Sequence, residues 1–475
     1  MQKTLLLLAV LSTSFFSIQA QKSEKEILKN LEQKSEDYGN IAQNIWEFAE
    51  MGYQEEQSSG LLQKTLQDAG FTLKKGVAGI PTAFIAEYGS GSPVIAIMGE
   101  FDALPGLSQK AIADKESAGK AAGHACGHHL FGTASTAAAI STKEWLAANK
   151  MQGTIRFYGT PAEEGGSGKV YMVREGLFND VDIALHWHPG AQNAASAGAA
   201  LANKSAKFRF HGISAHAAGS PEKGRSALDG VEAMDMMVNM MREHIPQEAR
   251  IHYVITDGGK APNVVPDFAE VYYYARHNNR DVVIDIFDRM VKAAEGAALG
   301  TGTTMDYEMI GGTHELSPNL TLQKLMHENL TEVGGMDYTP QEMEFADKIA
   351  KSLGQEKADL ATAKNVQPYK TEGKAGGSTD VGDVSFTVPT VGFSTATWVP
   401  GTSAHSWQAV AAGGTSIGRK GMMVAAKTLT KTAIDLFKDK KLVESAKIEF
   451  LEQRGADFKY IPLLGDRAPA LDYRN

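Results

Sequence analysis

The chain has 475 residues, of which 43% are hydrophobic and 22% charged, and its formal net charge is −9. This composition is typical of a globular protein, and the length predicts two domains rather than one core. Because the charge balance is acidic and no long run of lysine and arginine occurs, neither nucleic acid nor an anionic membrane surface is expected as a partner.

The first predicted element, residues 1–20, has the pattern of a secretory signal peptide. Lys3 gives a short positive start, residues 5–18 are mostly apolar, and Ala20 is a small residue at the predicted cleavage site. The apolar stretch is too short for a stable membrane span. The sequence therefore predicts an exported protein, periplasmic or secreted. Its single cysteine, Cys126, cannot form an intrachain disulfide and is a candidate metal ligand.

Apolar residues with helical periodicity over 26–70 precede two short strand patterns and a stronger predicted strand at 94–101. Asp102 follows this last strand, shortly before Pro105. Sheet enzymes keep ligand-binding side chains at the carboxyl ends of their strands. An aspartate that begins a turn would give the same pattern.

Between this strand and an alanine-rich helical pattern at 134–148 lies Gly123–Gly132, a segment that contains Cys126 and His128. Residues two positions apart can point in the same direction in an extended segment or loop. A thiolate with an imidazole suits zinc or another first-row transition metal. A buried cysteine beside helix-capping histidines is the alternative, but motifs further along the chain favour the metal site.

The next strand pattern, residues 154–159, leads into a glycine-rich loop that carries Glu163 and Glu164. Two adjacent carboxylates cannot both ionise cheaply when buried unless a cation neutralises them. One carboxylate can then bind a metal while the other acts as a base. A solvated acidic turn is the alternative, and the apolar strand before the pair weighs against it.

A short buried strand pattern at 181–185 precedes His186 and His188. Alternation along a strand would place both imidazoles on one face, so either could bind a metal. A core histidine bonded to the backbone is the usual alternative for a single such residue. Two histidines that flank a tryptophan at a strand end favour the functional interpretation.

From about residue 204 the pattern changes to strand-helix-strand-strand-helix-strand, which is typical of a ferredoxin-like α+β unit. Because this unit interrupts a larger α/β pattern, we interpret 204–316 as an inserted domain between catalytic parts at 21–203 and 317–475. His216 lies among small residues in the first loop of the insert, which is either a binding loop or an ordinary surface loop. Residues 330–375 are polar, with one amphipathic helix, and are interpreted as a family-specific insertion.

Six motifs occur in an order that resembles the dinuclear-metal amidohydrolases and metallopeptidases related to aminoacylase, hippurate hydrolase and glutamate carboxypeptidase. They are Asp102-Ala103-Leu104-Pro105, His124-Ala125-Cys126-Gly127-His128, Pro161-Ala162-Glu163-Glu164, Leu185-His186-Trp187-His188-Pro189, Gly212-Ile213-Ser214-Ala215-His216 and Ala404-His405-Ser406. The resemblance covers nearly all of the mature chain. It implies an α/β catalytic domain with a mixed sheet and an inserted ferredoxin-like lid and dimerisation domain.

The resemblance also implies roles for individual residues. The implied ligands of two divalent metal ions, Zn²⁺ or Mn²⁺, are Cys126, His128, Glu164, His186 and His405. Glu163 is implied as the general base and Asp102 as the partner that orients His128. His216 is implied to stabilise the oxyanion in the active site of a dimer partner. The predicted substrate contacts are Asn263, Arg276 and Ser378.

The implied reaction is hydrolysis of the amide bond of an N-acyl amino acid, of the aminobenzoyl-glutamate type, by water activated between the two metal ions. The implied assembly is a homodimer through the lid domain, or a hetero-oligomer with a related subunit. An exported metallo-carboxypeptidase or dipeptidase is the alternative activity. A non-catalytic partner subunit is the alternative from another class.

The chain departs from the family pattern at three points. His129 stands where the amidase branch usually has aspartate, and Glu100 stands where amidases often carry aspartate and peptidases histidine. We find no match for the later lid arginine that grips glutamate in the carboxypeptidases.

Overall fold

The computed structural model describes residues 22–373 and 377–474. The predicted signal peptide, residues 1–20, lies outside the described residues, so export stays a prediction. Within the two described ranges, no helix combines the length and the apolar character needed to cross a membrane.

The described residues form both helices and strands. The helices are α1 (Glu24–Gln33), α2 (Ser35–Phe48), α3 (Glu56–Asp68), α4 (His128–Asn149), α5 (Gly168–Arg174), α6 (Ala227–Met241), α7 (Arg280–Thr301), α8 (Leu320–Val333), α9 (Pro340–Ser352), α10 (Leu360–Lys364), α11 (Val381–Ser385), α12 (Trp407–Gly413), α13 (Ser416–Lys438) and α14 (Lys440–Arg454). The strands are β1 (Thr72–Lys75), β2 (Phe84–Ser90), β3 (Val94–Gly99), β4 (Leu104–Pro105), β5 (Ala122–Gly123), β6 (Gly153–Gly159), β7 (Ile183–Leu185), β8 (His188–Gly190), β9 (Ala202–His211), β10 (Arg250–Asp257), β11 (Phe268–His277), β12 (Thr304–Thr313), β13 (Thr390–Val391) and β14 (Ser394–Ala396).

A six-stranded sheet with the order β1-β2-β6-β3-β7-β13 organises the larger part of the chain. β6, β3, β7 and β13 pair in parallel, whereas β1 and β2 join antiparallel, so the predicted mixed α/β sheet is confirmed. Successive side chains of β3 alternate between two cores: Ile95 and Ile97 pack with α4 and α13, whereas Ala96 and Met98 pack with α5. Because the central strands are parallel, their carboxyl ends meet at one edge of the sheet.

A second sheet, with the antiparallel order β10-β11-β9-β12, lies in the stretch predicted as an insert. Its elements follow the predicted sequence of strand, helix, strand, strand, helix and strand. α6 and α7 cover this sheet and share a separate core with it, which includes Phe208, Met234 and Met290. The first strand of this unit, β9, begins at Ala202, two residues before the predicted boundary at 204, and the domain bounds stay a prediction. The role of this unit as a lid or dimer interface stays a prediction.

The amphipathic helix predicted within 330–375 is α9. Its first turn is closed by a capping box, in which Thr339 and Glu342 each bond the backbone N–H of the other. The apolar face of α9 packs Ile349 against Val399 and Ile417. The insertion is therefore attached to the main body close to the loop that carries His405.

Candidate metal centre and active site

Three overlapping groups of ligand-type side chains lie at the carboxyl edge of the six-stranded sheet. The first group is Cys126, His128 and His188, whose ligand atoms lie within 4.8 Å of one another. The sulfur of Cys126 is 3.4 Å from Nε2 of His188. Gly127 allows this approach: it has a φ of 78°, and a Cβ there would lie 2.7 Å from Pro189.

The second group is Cys126, Glu164 and His405. Nε2 of His405 lies 3.1 Å from a carboxylate oxygen of Glu164. The loop of His405 is fixed to the first group, because its backbone N–H donates to the carbonyl of Ala125 at 3.0 Å. His405 also has a φ of 59°, an uncommon conformation for a residue with a side chain, and such conformations occur often at functional sites.

The third group is Glu100, His128 and Glu163. Nδ1 of His128 lies 2.8 Å from a carboxylate oxygen of Asp102, which fixes the ring orientation. Nε2 of His128 then faces a carboxylate oxygen of Glu100 at 3.1 Å. If Nδ1 carries the proton of a neutral ring, Nε2 offers a lone pair to a carboxylate, an arrangement that a further proton or a metal cation would stabilise.

The donor set fits divalent metal ions. Oε2 of Glu100, Nε2 of His128 and Oε1 of Glu164 are buried; each lies 3.1 Å from another ligand-type atom, but none forms a well-oriented hydrogen bond among the described residues. A buried polar atom without a partner is costly, and a cation would satisfy all three. Sulfur, imidazole and carboxylate ligands together suit zinc and also admit manganese.

The electrostatics of the centre depend on burial. Burial, reinforced by the charges of Glu100 and Glu164, raises the pKa of Glu163 well above its usual value. Burial also raises the pKa of the Asp102 carboxyl, but the charge and hydrogen bond of His128 outweigh it and leave that pKa below its usual value. Burial raises the pKa of the Cys126 thiol, so its ligation as a thiolate needs a cation.

A buried lysine that sequence reasoning missed completes the centre. The ammonium of Lys169 lies 2.6 Å from a carboxylate oxygen of Glu100 and 2.7 Å from one of Asp380. Burial lowers the pKa of Lys169, but the charges of Asp380 and Glu100 more than compensate and raise it above its usual value. Its signal in the sequence is a single lysine in the otherwise apolar start of α5, Gly168-Lys169-Val170-Tyr171-Met172-Val173.

The structure brings together most of the predicted ligands but replaces one of them. β7 ends at Leu185 and β8 begins at His188, so the two histidines do not alternate on one strand as we expected. His188 joins Cys126 and His128, whereas His186 turns toward Gly392, where a Cβ would lie 2.1 Å from its Nε2. We therefore expect His188, rather than His186, to bind the metal.

The predicted substrate contacts separate into two places. Arg276 and Ser378 line a cavity of about 500 Å³ beside Glu163 and His405. His216 is exposed and lies next to the loop of Asn263, on the second sheet unit. Its Nδ1 accepts bonds from two backbone N–H groups, so its neutral ring carries the proton on Nε2. His129 is not at the centre, because it bonds the carbonyl of Gly413 at 3.0 Å.

Similarity to known proteins identifies the chain as a hydrolase of amide bonds. The chain belongs to the family described as Peptidase family M20/M25/M40, whose model matches residues 96–409. It is 43% identical over 439 residues to one subunit of the p-aminobenzoyl-glutamate hydrolase of Escherichia coli (strain K12), covering 87% of this chain and 91% of that protein.

Two other relatives and one solved structure extend the comparison. The chain is 29% identical to the Xaa-Arg dipeptidase of Mus musculus, over 90% of this chain and 93% of that protein. It is 25% identical to a different subunit of the same Escherichia coli hydrolase, over 60% of this chain and 66% of that protein. A dinuclear metal-binding peptidase of Bacillus subtilis has the same fold, with a TM-score of 0.57 and 19% identity over 87% of this chain and 99% of that one.

We expect His188→Ala to lose bound metal and His186→Ala to retain it. The imidazole of His188 lies among the ligand-type groups, whereas that of His186 faces Gly392. Elemental analysis of the two purified variants, with circular dichroism as a check of folding, measures the difference. Metal loss in His186→Ala with full occupancy in His188→Ala would restore His186 as the ligand.

Proposed function

We propose that the protein hydrolyses the amide bond of N-acyl amino acids of the aminobenzoyl-glutamate type. The observation that carries this proposal is the convergence, at one sheet edge, of buried ligand atoms of Glu100, His128 and Glu164 that form no well-oriented hydrogen bond among the described residues. The 43% identity to a subunit of p-aminobenzoyl-glutamate hydrolase supports the choice of substrate.

In this proposal the side chains of the three groups hold two divalent cations, Zn²⁺ or Mn²⁺. These are Glu100, Cys126, His128, Glu164, His188 and His405. When bound, such cations lower the pKa of water and polarise a carbonyl group. The thiolate of Cys126 favours zinc, and the carboxylate and imidazole ligands leave manganese as the second choice.

Glu163 acts as the general base in this reaction. It takes a proton from the attacking water as the new C–O bond forms, and it delivers that proton to the amine nitrogen as the C–N bond breaks. Burial and the charges of Glu100 and Glu164 raise its pKa, which favours the protonated form through which this carboxyl passes between the two steps. Asp102 keeps His128 oriented and also accepts a hydrogen bond from the backbone N–H of Glu164 at 2.9 Å. It therefore helps to position both His128 and the loop of Glu164.

The test is a hydrolysis screen of the purified chain with added Zn²⁺ or Mn²⁺. Aminobenzoyl-glutamate, other N-acyl amino acids and dipeptides are compared by kcat/KM. Turnover of N-acyl amino acids by the chain alone is the expected result, and exclusive cleavage of dipeptides would favour the dipeptidase alternative. The cationic Arg276 in the cavity already disfavours a leaving group that carries arginine. Metal uptake without any turnover would favour a non-catalytic subunit.

We further propose that the chain dimerises through the second sheet unit. β10 is an edge strand of that sheet, and an edge strand offers unpaired backbone groups to a partner. Large apolar side chains are exposed on it and on α6, including Val254 (55%) and Met240 (63%). Because two of the Escherichia coli relatives are named as different subunits of one hydrolase, a hetero-oligomer is the alternative assembly.

We expect inactive His216→Ala chains and inactive Glu163→Gln chains to restore activity when they exchange subunits. In a mixed dimer, one active site receives both Glu163 and His216, and the other receives neither. Random exchange should therefore return about one quarter of wild-type activity. His216→Ala alone should lower kcat on the order of 10²–10³-fold, because its Nε2–H would stabilise an oxyanion. Exchange that is demonstrated by mass spectrometry without recovery would show that His216 does not act across the interface.

A further inference from the structure

The segment after α14, residues 455–474, runs back across the molecule to the metal centre. Leu464 is buried in the core beside α5, and the chain passes so close to β12 that a Cβ on Gly312 would lie 2.6 Å from the carbonyl carbon of Leu463. Arg467 donates to the carbonyl of Ile310 at 2.8 Å. Arg174 of α5 donates to the carbonyl of Arg467 at 2.8 Å. The segment is thus fixed to both sheet units by specific contacts.

The end of this segment lies against the active-site loop. The hydroxyl of Tyr473 donates to the backbone carbonyl of Glu164 at 3.2 Å, and Nη2 of Arg474 donates to the same carbonyl. Gly52 leaves room for the tyrosine, because a Cβ there would lie 2.2 Å from the hydroxyl oxygen. The ring of Tyr473 packs edge-on against Tyr53 at 5.5 Å. Arg474 is therefore held at the rim of the centre.

Arg474 and Arg276 line the same cavity, together with Ser378. Nε of each arginine and Oγ of the serine are buried, and none of the three has a hydrogen-bond partner among the described residues. Three acidic side chains also line this cavity: Glu164 faces His405, Asp380 pairs with Lys169, and Glu163 is the proposed base. Neither guanidinium forms an ion pair within the part of the chain that the structure describes.

A guanidinium with a free Nε offers a planar fork that matches a carboxylate. Two such forks in one cavity match a ligand with two carboxylates. We propose that Arg474 binds the side-chain carboxylate of an acidic amino-acid leaving group, while Arg276 binds its α-carboxylate. This inference rests on the amide hydrolysis proposed above and makes the segment after α14 a determinant of glutamate specificity. The lid has no match for the arginine that grips glutamate in the carboxypeptidases. In this proposal Arg474, near the end of the described residues, takes that role.

The test compares kcat/KM for p-aminobenzoyl-glutamate and p-aminobenzoyl-glutamine, which differ only in the charge of the side chain. The metal-loaded wild type should prefer glutamate, and Arg474→Ala should reduce that preference on the order of 10–100-fold, mainly through the glutamate substrate. Arg474→Lys should retain part of the preference. Lys459→Ala is the matched control, because it removes an exposed cation of the same segment that does not line the cavity, and it should leave the preference unaltered. An unchanged preference in Arg474→Ala would overturn the proposal.

A binding measurement separates this inference from the proposed function. Calorimetry with glutarate and butyrate, which carry two carboxylates and one, reports recognition without turnover. Arg474→Ala should weaken glutarate binding and leave butyrate binding unchanged. If the wild type cleaves neither amide, the proposed function fails, and this measurement alone decides the role of Arg474. Equal glutarate affinity in the wild type and Arg474→Ala would then exclude that role.

Discussion

Glu163→Gln is expected to lower kcat on the order of 10²–10⁴-fold while the metal content of the chain stays at the wild-type level. Glutamine has nearly the same size as glutamate but cannot accept and return a proton. The residue is half-buried beside Glu100 and Glu164, and desolvation and these charges raise its pKa. Steady-state kinetics and elemental analysis of the same preparation measure the two quantities together.

Glu164→Gln is the matched comparison, because the same chemical change is made at the adjacent residue. The carboxylate of Glu164 lies with Cys126 and His405, so its loss should reduce metal content as well as turnover. Equal metal loss in the two variants would contradict the division of the pair into a base and a ligand. Full metal content in Glu164→Gln would contradict its assignment as a ligand.

Lys169→Met is expected to lower the free energy of unfolding of the metal-depleted chain by about 3–5 kcal/mol. The side chain of Lys169 is fully buried between Glu100 and Asp380, and its removal leaves these carboxylates buried without their shared cation. Methionine fills a similar volume, so the decrease in the free energy of unfolding reports the missing charge rather than a new cavity. Urea denaturation followed by circular dichroism measures the change.

Two further variants test the cause of this destabilisation. Lys64→Met removes an exposed ion pair with Asp68 and should cost about 1 kcal/mol or less. Adding Asp380→Asn to Lys169→Met neutralises one of the unpaired carboxylates, so it should recover part of the lost stability. A double variant less stable than Lys169→Met would show that hydrogen bonding of Asp380, rather than charge balance, dominates.

The sequence predicted the parts of the centre that follow from strand ends and motif spacing. Asp102, Cys126, His128 and the glutamate pair each adjoin a strong apolar strand or helix pattern, and parallel pairing then brings them to one edge. The choice between His186 and His188 was not predictable, because it depends on where β7 stops and β8 starts. His186 and Trp187 lie between the two strands, so the alternation of side chains is interrupted there. As a result His188, rather than His186, faces the centre.

Lys169 and Arg474 were missed for different physical reasons. Lys169 lies in a short helix, and the two carboxylates that make its burial tolerable come from distant parts of the chain. Arg474 belongs to an irregular segment whose position depends on tertiary contacts, such as the close passage at Gly312, rather than on any periodic pattern. The predicted helix and strand order of the second unit needed only local periodicity, which explains its success.

Residues 455–474 contact both sheet units and therefore form a direct connection between them. Arg467 is bonded to β12 of the second sheet, and Tyr473 and Arg474 are bonded to the loop of Glu164 beside the first. Only five residues separate Arg467 from Tyr473, so this part of the chain can span at most about 20 Å. A rotation of the second sheet unit would therefore pull on the Glu164 loop itself. The position of the second sheet unit and the shape of the active site are therefore linked through residues 455–474.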